Sequence, residues 1–334
     1  DYLEKFKIKV FGPNKIASQL EGSKIFTKNI CRDYNIPTAN FGIFESEIDA
    51  KKFLEESKFP IVIKADNLAS GKGVYICENK NQSYDAVKEI FGGKFGKAKN
   101  VLVEEFLKGE EMSYFIVTDG ITIKSFGTAQ DHKRVGEGDT GSNTGGMGAY
   151  SPSRLIDDDL ETKILDKIIK PTLKGLSEFK TKYKGFLYAG LMILPNNDIR
   201  VLEYNCRLGD PEAQILMMKM KGDFFDVLRL SVNEHLSLSE NYVDFWDERS
   251  SLGVVTASEG YPENPELGKK IKISPKLNFD HSLLKIFHAG TTLKDGELET
   301  SGGRVLCVSV LENNLSKARE KVYLNLKKIH FDGM

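Results

Sequence analysis

A chain of 334 residues is too long for one ordinary hydrophobic core and has room for two or three domains. Its net charge of −1, with 28% charged and 40% apolar residues, fits a globular protein and argues against a general binder of nucleic acid or anionic membrane, which needs an excess of Lys and Arg. No apolar run approaches the roughly 20 residues that cross a bilayer, and no signal peptide opens the chain. The cysteines Cys31, Cys77, Cys206 and Cys307 lack metal-ligand spacing and read as free thiols in a cytoplasmic, reducing setting.

Residues 1–22 read as a connector. Ser23 is a helix N-cap, and Ile25, Phe26, Ile30 and Tyr34 follow at helical spacing until Ile36-Pro37 stops the helix. A second helix over Ile48–Ser57 ends at Phe59-Pro60, before the buried-strand run Ile61-Val62-Ile63. Strands are expected at Val74–Cys77 and Val101–Leu107, with a helix over Gln82–Phe91 between them. A hairpin of Met112–Thr118 and Ile121–Phe126 turns at Asp119-Gly120.

Residues 127–151 read as a long polar loop, and loops of that length inside a compact domain are usually functional. A helix over Leu160–Phe179 and strands over Gly185–Leu194 and Ile199–Tyr204 follow, then helices from Glu212–Met220 and Asp223–Val232. From about 233 the texture changes to short strands (Leu252–Ala257, Lys270–Ile273, Leu284–Ala289, Val305–Leu311) and a last helix over about Leu315–Ile329. A domain boundary is expected near 232–250.

Four segments carry chemistry. Gly71-Lys72-Gly73, between two strands, can approach a polyphosphate and neutralise it, although a plain glycine hairpin has the same pattern. Lys64 ends an apolar strand, where an ammonium needs an anionic partner, either a ligand or a neighbour such as Asp66. The end of the Val103-Glu104-Glu105-Phe106-Leu107 strand can offer backbone groups to an adenine ring, and an acid a turn later can reach ribose hydroxyls; a solvated acidic strand end has the same sequence. In Arg200–Glu212, Glu203 and Asn205 stand two apart on one strand face and offer oxygen ligands that suit Mg²⁺. Leu202, Tyr204 and Cys206 take the core face. Arg207 shares the face of Glu203 and can stabilise a transferring phosphoryl group, or form a structural Glu–Arg pair. His288 reads as a core or interface histidine, and Met217, Met218 and Met220 as core filler.

In this order the segments resemble the ATP-grasp superfamily, which implies an α+β fold in which two α+β subdomains clamp ATP. The resemblance makes Lys24 and Lys64 the phosphate-binding lysines and Gly71, Lys72 and Gly73 the mobile glycine-rich loop. It makes Glu104, Glu105 and Leu107 the adenine hinge and Glu111 the ribose acid. Glu203 and Asn205 become ligands of Mg²⁺ (or Mn²⁺), and Arg207 the catalytic arginine. Within the superfamily, Leu20–Lys24, Ala129–Val135, Asp139–Pro152, Gly185–Gly190, Asn205–Glu212, Trp246–Arg249, Phe287–Thr291 and Gly302–Val305 look like the phosphoribosylamine–glycine ligase family.

That resemblance implies ligation of glycine to 5-phosphoribosylamine through glycyl phosphate, giving glycinamide ribonucleotide, ADP and phosphate in purine synthesis. Asp131 joins Arg207 at the substrate end, with Lys133, Arg134 and Asp210 near it. A monomer acting on small molecules is expected, with no nucleic acid or membrane partner. The implied domains are a connector at 1–22, an ATP-grasp domain at 23–232 with a lid subdomain at about 42–113, and a smaller β-rich C-terminal domain at 233–334. The sequence departs from the family in four places. The amino-terminal α/β domain is absent from this chain, the carboxyl end looks clipped, and Ser142 stands where Pro is expected. Gly185–Leu194 offers no second acid, which leaves the number of metal ions open. A bicarbonate- or formate-activating relative and a non-catalytic nucleotide-binding module are the alternatives.

Overall fold

The computed structural model describes residues 2–66, 73–96, 98–138, 140–239, 245–275, 277 and 283–334. Helices α1 (Gln19–Gly22) and α2 (Lys24–Asp33) lead to strand β1 (Phe41–Phe44), helix α3 (Glu47–Glu55) and strands β2 (Ile61–Ala65) and β3 (Val74–Cys77). Helix α4 (Lys80–Phe91) precedes β4 (Val101–Glu105), β5 (Glu110–Thr118), β6 (Ile123–Asp131), β7 (Arg134–Gly136), β8 (Thr140–Asn143) and β9 (Gly148–Ser151). Next come α5 (Asp158–Ile164), α6 (Lys170–Glu178), β10 (Gly185–Ile193), β11 (Ile199–Asn205), α7 (Glu212–Lys219) and α8 (Phe224–Val232). The chain continues with β12 (Ser250–Ala257), β13 (Lys272–Ile273), β14 (Leu284–His288), β15 (Thr291–Lys294), β16 (Glu297–Thr300), β17 (Arg304–Glu312), α9 (Leu315–Leu326) and β18 (Ile329–His330). Among the described residues, no helix is long and apolar enough to cross a membrane.

The chain divides into two compact units. The first comprises Asp1–Phe126, Leu155–Arg207 and Leu228–Leu238, and the second Gly127–Arg154, Leu208–Val227 and Ser239–Met334.

In the first unit, β1, β4, β2 and β3 form an antiparallel sheet in that order. Side chains alternate across a strand. Ile61, Ile63 and Ala65 of β2 and Val101 and Val103 of β4 therefore share a core with Ala50 and Leu54 of α3 and Val87 and Ile90 of α4. Lys64 and Glu104 fall on the opposite face. A second antiparallel layer runs β11-β10-β5, and its residues Tyr114, Leu187, Ala189, Val201 and Tyr204 pack against Ile30 and Cys31 of α2 and Ile164, Ile168 and Leu176. The helix expected at Leu160–Phe179 is present as α5 and α6 joined by a π turn at Leu165–Ile169.

One expectation fails on β11. Glu203 pairs with Gly190 and Val201 with Leu191, so Leu202 is an extra residue in the ladder. A bulge of this kind shifts the alternation by one. Val201, 1% exposed, takes the core position that simple alternation gives to Leu202, which is half-buried, while Tyr204 remains in the core at 2%.

In the second unit, β9, β12, β17 and β14 form an antiparallel sheet, and α9 buries Ala318, Val322 and Leu326 against Val305, Val308 and Val310. The region read as a loop at 127–151 is partly strand. It contains the end of β6, the β7/β8 ribbon, and β9, whose Gly148–Ser151 pairs with Ser251–Val254. Its Gly, Ser, Thr and Asn residues carry no apolar alternation, so nothing in the composition distinguished strand from loop. The β15/β16 hairpin was not expected from the sequence, although Asp295-Gly296 supplies a turn signal between its short, charged strands. His288 is exposed rather than core, with Nδ1 3.0 Å from Thr291 Oγ1. Met218 is buried, and all four cysteines are free.

Candidate nucleotide site and the family of the chain

Ser23 caps α2: its backbone is extended and its hydroxyl accepts the Phe26 N–H at 3.1 Å, while Asp66 accepts the Ser23 hydroxyl at 3.0 Å and the Ile25 N–H at 3.1 Å. Asp66 is therefore committed to the cap, and Lys64 pairs instead with Glu104, Nζ to Oε1, at 2.9 Å. In the β2/β4 register Lys64 stands opposite Leu102, which puts Glu104 at the diagonal position on the same face. The other carboxylate oxygen of Glu104 lies 3.0 Å from Nζ of Lys28, which also donates to Thr38 Oγ1 at 2.6 Å. Burial pushes the Glu104 carboxyl up, but the Lys64 and Lys28 ammonium groups together outweigh it and hold it below the usual carboxylate range.

Lys24 opens α2 one turn before Lys28, on the same helix face. Burial pulls its ammonium below the ordinary value. Glu203 opposes that shift, Lys64 adds to it, and Asp66 and Glu104 also act on it. Lys24, Lys64 and Glu203 thus come from α2, β2 and β11 to one electrostatic neighbourhood. Lys28, which sequence reasoning passed over, completes the cluster. Its signal was the four-residue step from Lys24, but its partner emerges only from the β2/β4 pairing.

On β11, Glu203 is exposed and Asn205 half-buried. Arg207 Nη2 lies 3.4 Å from Asn205 Oδ1, and Arg207 Nε is 2.9 Å from Glu21 Oε1. Among the described residues, no group of three or more His, Cys, Asp and Glu side chains forms a metal cage. A carboxylate and an amide oxygen side by side fit a hard cation that keeps several waters and phosphate oxygens as ligands.

Of the hinge residues, Glu104 directs its carboxylate to the two lysines. Glu105 accepts the Asn40 backbone N–H at 2.9 Å and Asn40 Nδ2 at 3.0 Å. Leu107 is half-buried and lines a groove of ≈ 560 Å³ with Phe59, Phe106 and Pro195; Glu111 is exposed on β5. A second groove of ≈ 940 Å³ lies by Glu105, Asn40 and Arg200, and neither groove includes Lys24, Lys64, Glu203 or Asn205. Gly71 and Lys72 lie outside the described residues. Gly73 accepts the Ala65 N–H at 2.9 Å and so continues the β2/β3 pairing.

In the second unit, Asp131 ends β6 opposite Ala149, and the Lys133 carbonyl accepts the Thr144 N–H at 2.7 Å. Arg134 donates to Gly141 O at 2.7 Å. Ser142, where Pro was expected, donates to Glu263 Oε1 at 2.6 Å, a bond that Pro could not make. Gly146 has φ +116°, and a Cβ there would stand 2.8 Å from Asp131 Oδ1 and 2.6 Å from Pro211, so the backbone needs glycine. Arg304, another residue missed in the sequence, donates to Gly145 O at 2.8 Å, to Asp210 O at 2.6 Å and to Asp210 Oδ2 at 2.9 Å. One guanidinium thus joins three separate sequence segments.

Known proteins resemble the chain at two levels. Biotin carboxylase from Campylobacter jejuni superposes with a TM-score of 0.77 at 17% identity over 99% of this chain and 72% of that one, which speaks to fold alone. Residues 22–213 match the family model described as phosphoribosylglycinamide synthetase, ATP-grasp (A) domain, and residues 251–334 the C domain of the same synthetase. The fold is therefore that of an ATP-grasp protein. Phosphoribosylamine–glycine ligase from Thermotoga maritima superposes with a TM-score of 0.87 at 35% identity over 97% of this chain and 80% of that one. Ligases of the same name from Vibrio parahaemolyticus and Escherichia coli O157:H7 are 43% and 44% identical, each match covering 97% of this chain and 75% of the relative. The chain belongs to the phosphoribosylglycinamide synthetase family, whose members carry the name phosphoribosylamine–glycine ligase.

Proposed function

We propose that the cluster of Lys24, Lys64, Glu203, Asn205 and Arg207 is the phosphoryl-transfer centre of this ATP-dependent carbon–nitrogen ligase. The reaction is ligation of glycine to 5-phosphoribosylamine, giving glycinamide ribonucleotide, ADP and phosphate in purine biosynthesis. The observation that supports the site assignment is that Lys64 of β2 and Glu203 of β11 both act electrostatically on the half-buried Lys24 of α2, beside the Lys64–Glu104 pair at 2.9 Å. Lys24 and Lys64 neutralise the triphosphate. Burial lowers the affinity of Lys24 for its proton, and a phosphate beside the ammonium favours its charged form.

Glu203 and Asn205 would hold Mg²⁺ or Mn²⁺, which would supply neutralisation of phosphate charge. Glu104, Glu105 and Leu107 are assigned to the adenine, Glu111 to the ribose, and Gly71, Lys72 and Gly73 to the phosphates. A glycine carboxylate oxygen attacks the γ-phosphorus, and the bond to the β-γ bridging oxygen breaks as ADP leaves. Arg207 stabilises charge on the transferring phosphoryl group. The amine of phosphoribosylamine then attacks the glycyl phosphate carbon. The C–N bond forms, the C–O bond to phosphate breaks, and the amine loses a proton. Because the nucleophile belongs to the substrate, no serine or cysteine nucleophile is required.

Asp131, Lys133, Arg134 and Asp210 are assigned to the substrates in this reading. Its domain plan is a connector at 1–22, an ATP-grasp domain at 23–232 with a lid at about 42–113, and a C-terminal domain at 233–334. The enzyme acts as a cytoplasmic monomer on small molecules, a setting that the four unpaired thiols support. The test is ADP formation with glycine and phosphoribosylamine against the same assay with bicarbonate. Turnover with the first pair alone is expected; equal turnover with bicarbonate overturns the assignment.

A further inference from the structure

We propose that Glu21 is a positioning residue for Arg207: it fixes the guanidinium beyond the end of β11, beside Asn205. The inference rests on the reading of Arg207 given above. Glu21 uses its two oxygens on consecutive residues: Oε1 is 2.9 Å from Arg207 Nε, and Oε2 accepts the Cys206 backbone N–H at 2.9 Å. The β10/β11 ladder ends at the Tyr188–Asn205 pair, so Cys206 lies one residue past the last pairing, where its N–H still needs an acceptor. Glu21 supplies that acceptor, and with the same carboxylate it takes hold of the next side chain.

The bracket has a rigid base. Ala17 and Leu20, on the turn that carries Glu21, are buried in the core at 0% and 2% exposure. Thr27 of α2 donates to Leu20 O at 2.7 Å, and Cys206 Sγ lies 3.7 Å from Ala17 O. The Arg207 side chain, in contrast, is 58% exposed, and an ion pair so open to water contributes little to stability. What the carboxylate supplies is orientation. A long side chain with several rotamers is held through Nε, which leaves Nη2 directed at Asn205 Oδ1, 3.4 Å away.

The experiment measures glycine-dependent ADP formation for Glu21→Ala, Glu21→Gln, Arg207→Ala and the double variant of the full chain, with ATP affinity measured separately by calorimetry. Glu21→Ala is expected to lower kcat by roughly ten- to a hundred-fold, the usual cost of losing a residue that orients a catalytic group, with ATP affinity changed less than about three-fold. Glu21→Gln keeps an acceptor and should recover part of the loss, which also separates misorientation from misfolding. In the double variant, Glu21→Ala should add nothing to the loss from Arg207→Ala. If Arg207→Ala leaves kcat intact, the reading of Arg207 itself fails. If Arg207→Ala is severe but Glu21→Ala is silent, or the two losses multiply, Glu21 does not act through Arg207.

Discussion

Lys64 on β2 and Glu104 on β4 stand 2.9 Å apart on the sheet face away from α3 and α4, each nearly sealed from water, and Lys28 takes the second oxygen of the same carboxylate. A single carboxylate between two ammonium groups leaves a net positive charge in a desolvated place. In the proposed reading a polyphosphate answers that surplus. It also makes Glu104 a residue on which folding depends.

Replacing Glu104 by Ala strands Lys28 and Lys64 without their counter-charge. Breaking a buried pair by removing one partner costs about 3–5 kcal/mol. Urea unfolding at neutral pH should show a loss of that order, and a change below about 1 kcal/mol would mean that the pair behaves like a surface one.

ATP binding should take up protons at alkaline pH. Burial holds the Lys24 ammonium below its ordinary value in the free protein, and a triphosphate beside it restores the proton. The bound state then carries more protons than the free state, so affinity falls as pH rises through the free-state pKa of Lys24. Calorimetry in buffers of different ionisation enthalpy should report net uptake that vanishes in Lys24→Met. Proton release on binding contradicts the role given to Lys24.

Lys219 gives a second pH signature, away from the nucleotide. Burial pulls its ammonium down to about 8, against the upward pull of Asp247, while Arg249 and Glu248 act in opposite senses. Its Nζ donates to the Asp247 carbonyl at 2.7 Å and to that of Arg249, within the turn that carries Trp246, the one tryptophan of the chain. With the folded pKa below the unfolded value, the unfolded chain binds more protons between about pH 8 and 10.5, so this group's contribution to stability rises with pH across that window. Trp246 fluorescence should change with a midpoint near pH 8 and lose that step in Lys219→Met. A step that persists in the variant belongs to another group.

Arg304→Ala removes the guanidinium that holds Gly145 O and both the carbonyl and carboxylate of Asp210. Hydrogen bonds to a charged group are worth about 1.5–3 kcal/mol, so kcat/KM for phosphoribosylamine should fall roughly ten- to a hundred-fold while ATP affinity holds. Unchanged kcat/KM would detach Asp210 and the Gly145-Gly146 turn from substrate binding.

Local signals were legible in the sequence because each is contained within a few residues. Ser23 caps α2 through a bond to a residue three positions on, and Val74–Cys77 matches its strand to the residue. The shared strand face of Glu203 and Asn205 was readable from two-residue spacing because the bulge at Leu202 precedes both. Features that depend on pairing between distant strands were hidden. Lys28 and Glu21 acquire their partners only when β4 and β11 arrive, and Arg304 joins segments nearly a hundred residues and more away. The β7/β8 ribbon and β9 are three- and four-residue strands rich in Gly, Ser and Thr with no apolar alternation, so their strand character comes from their neighbours rather than from their own pattern.

A crystal structure of the protein with Mn²⁺ and a non-hydrolysable ATP analogue, with anomalous data collected for the metal, tests the central claim most directly. The Mn²⁺ peak should lie within bonding distance of a Glu203 carboxylate oxygen and of Asn205 Oδ1, with the triphosphate oxygens against Nζ of Lys24 and Lys64. A metal peak remote from β11, or phosphates that touch neither lysine, would contradict the account.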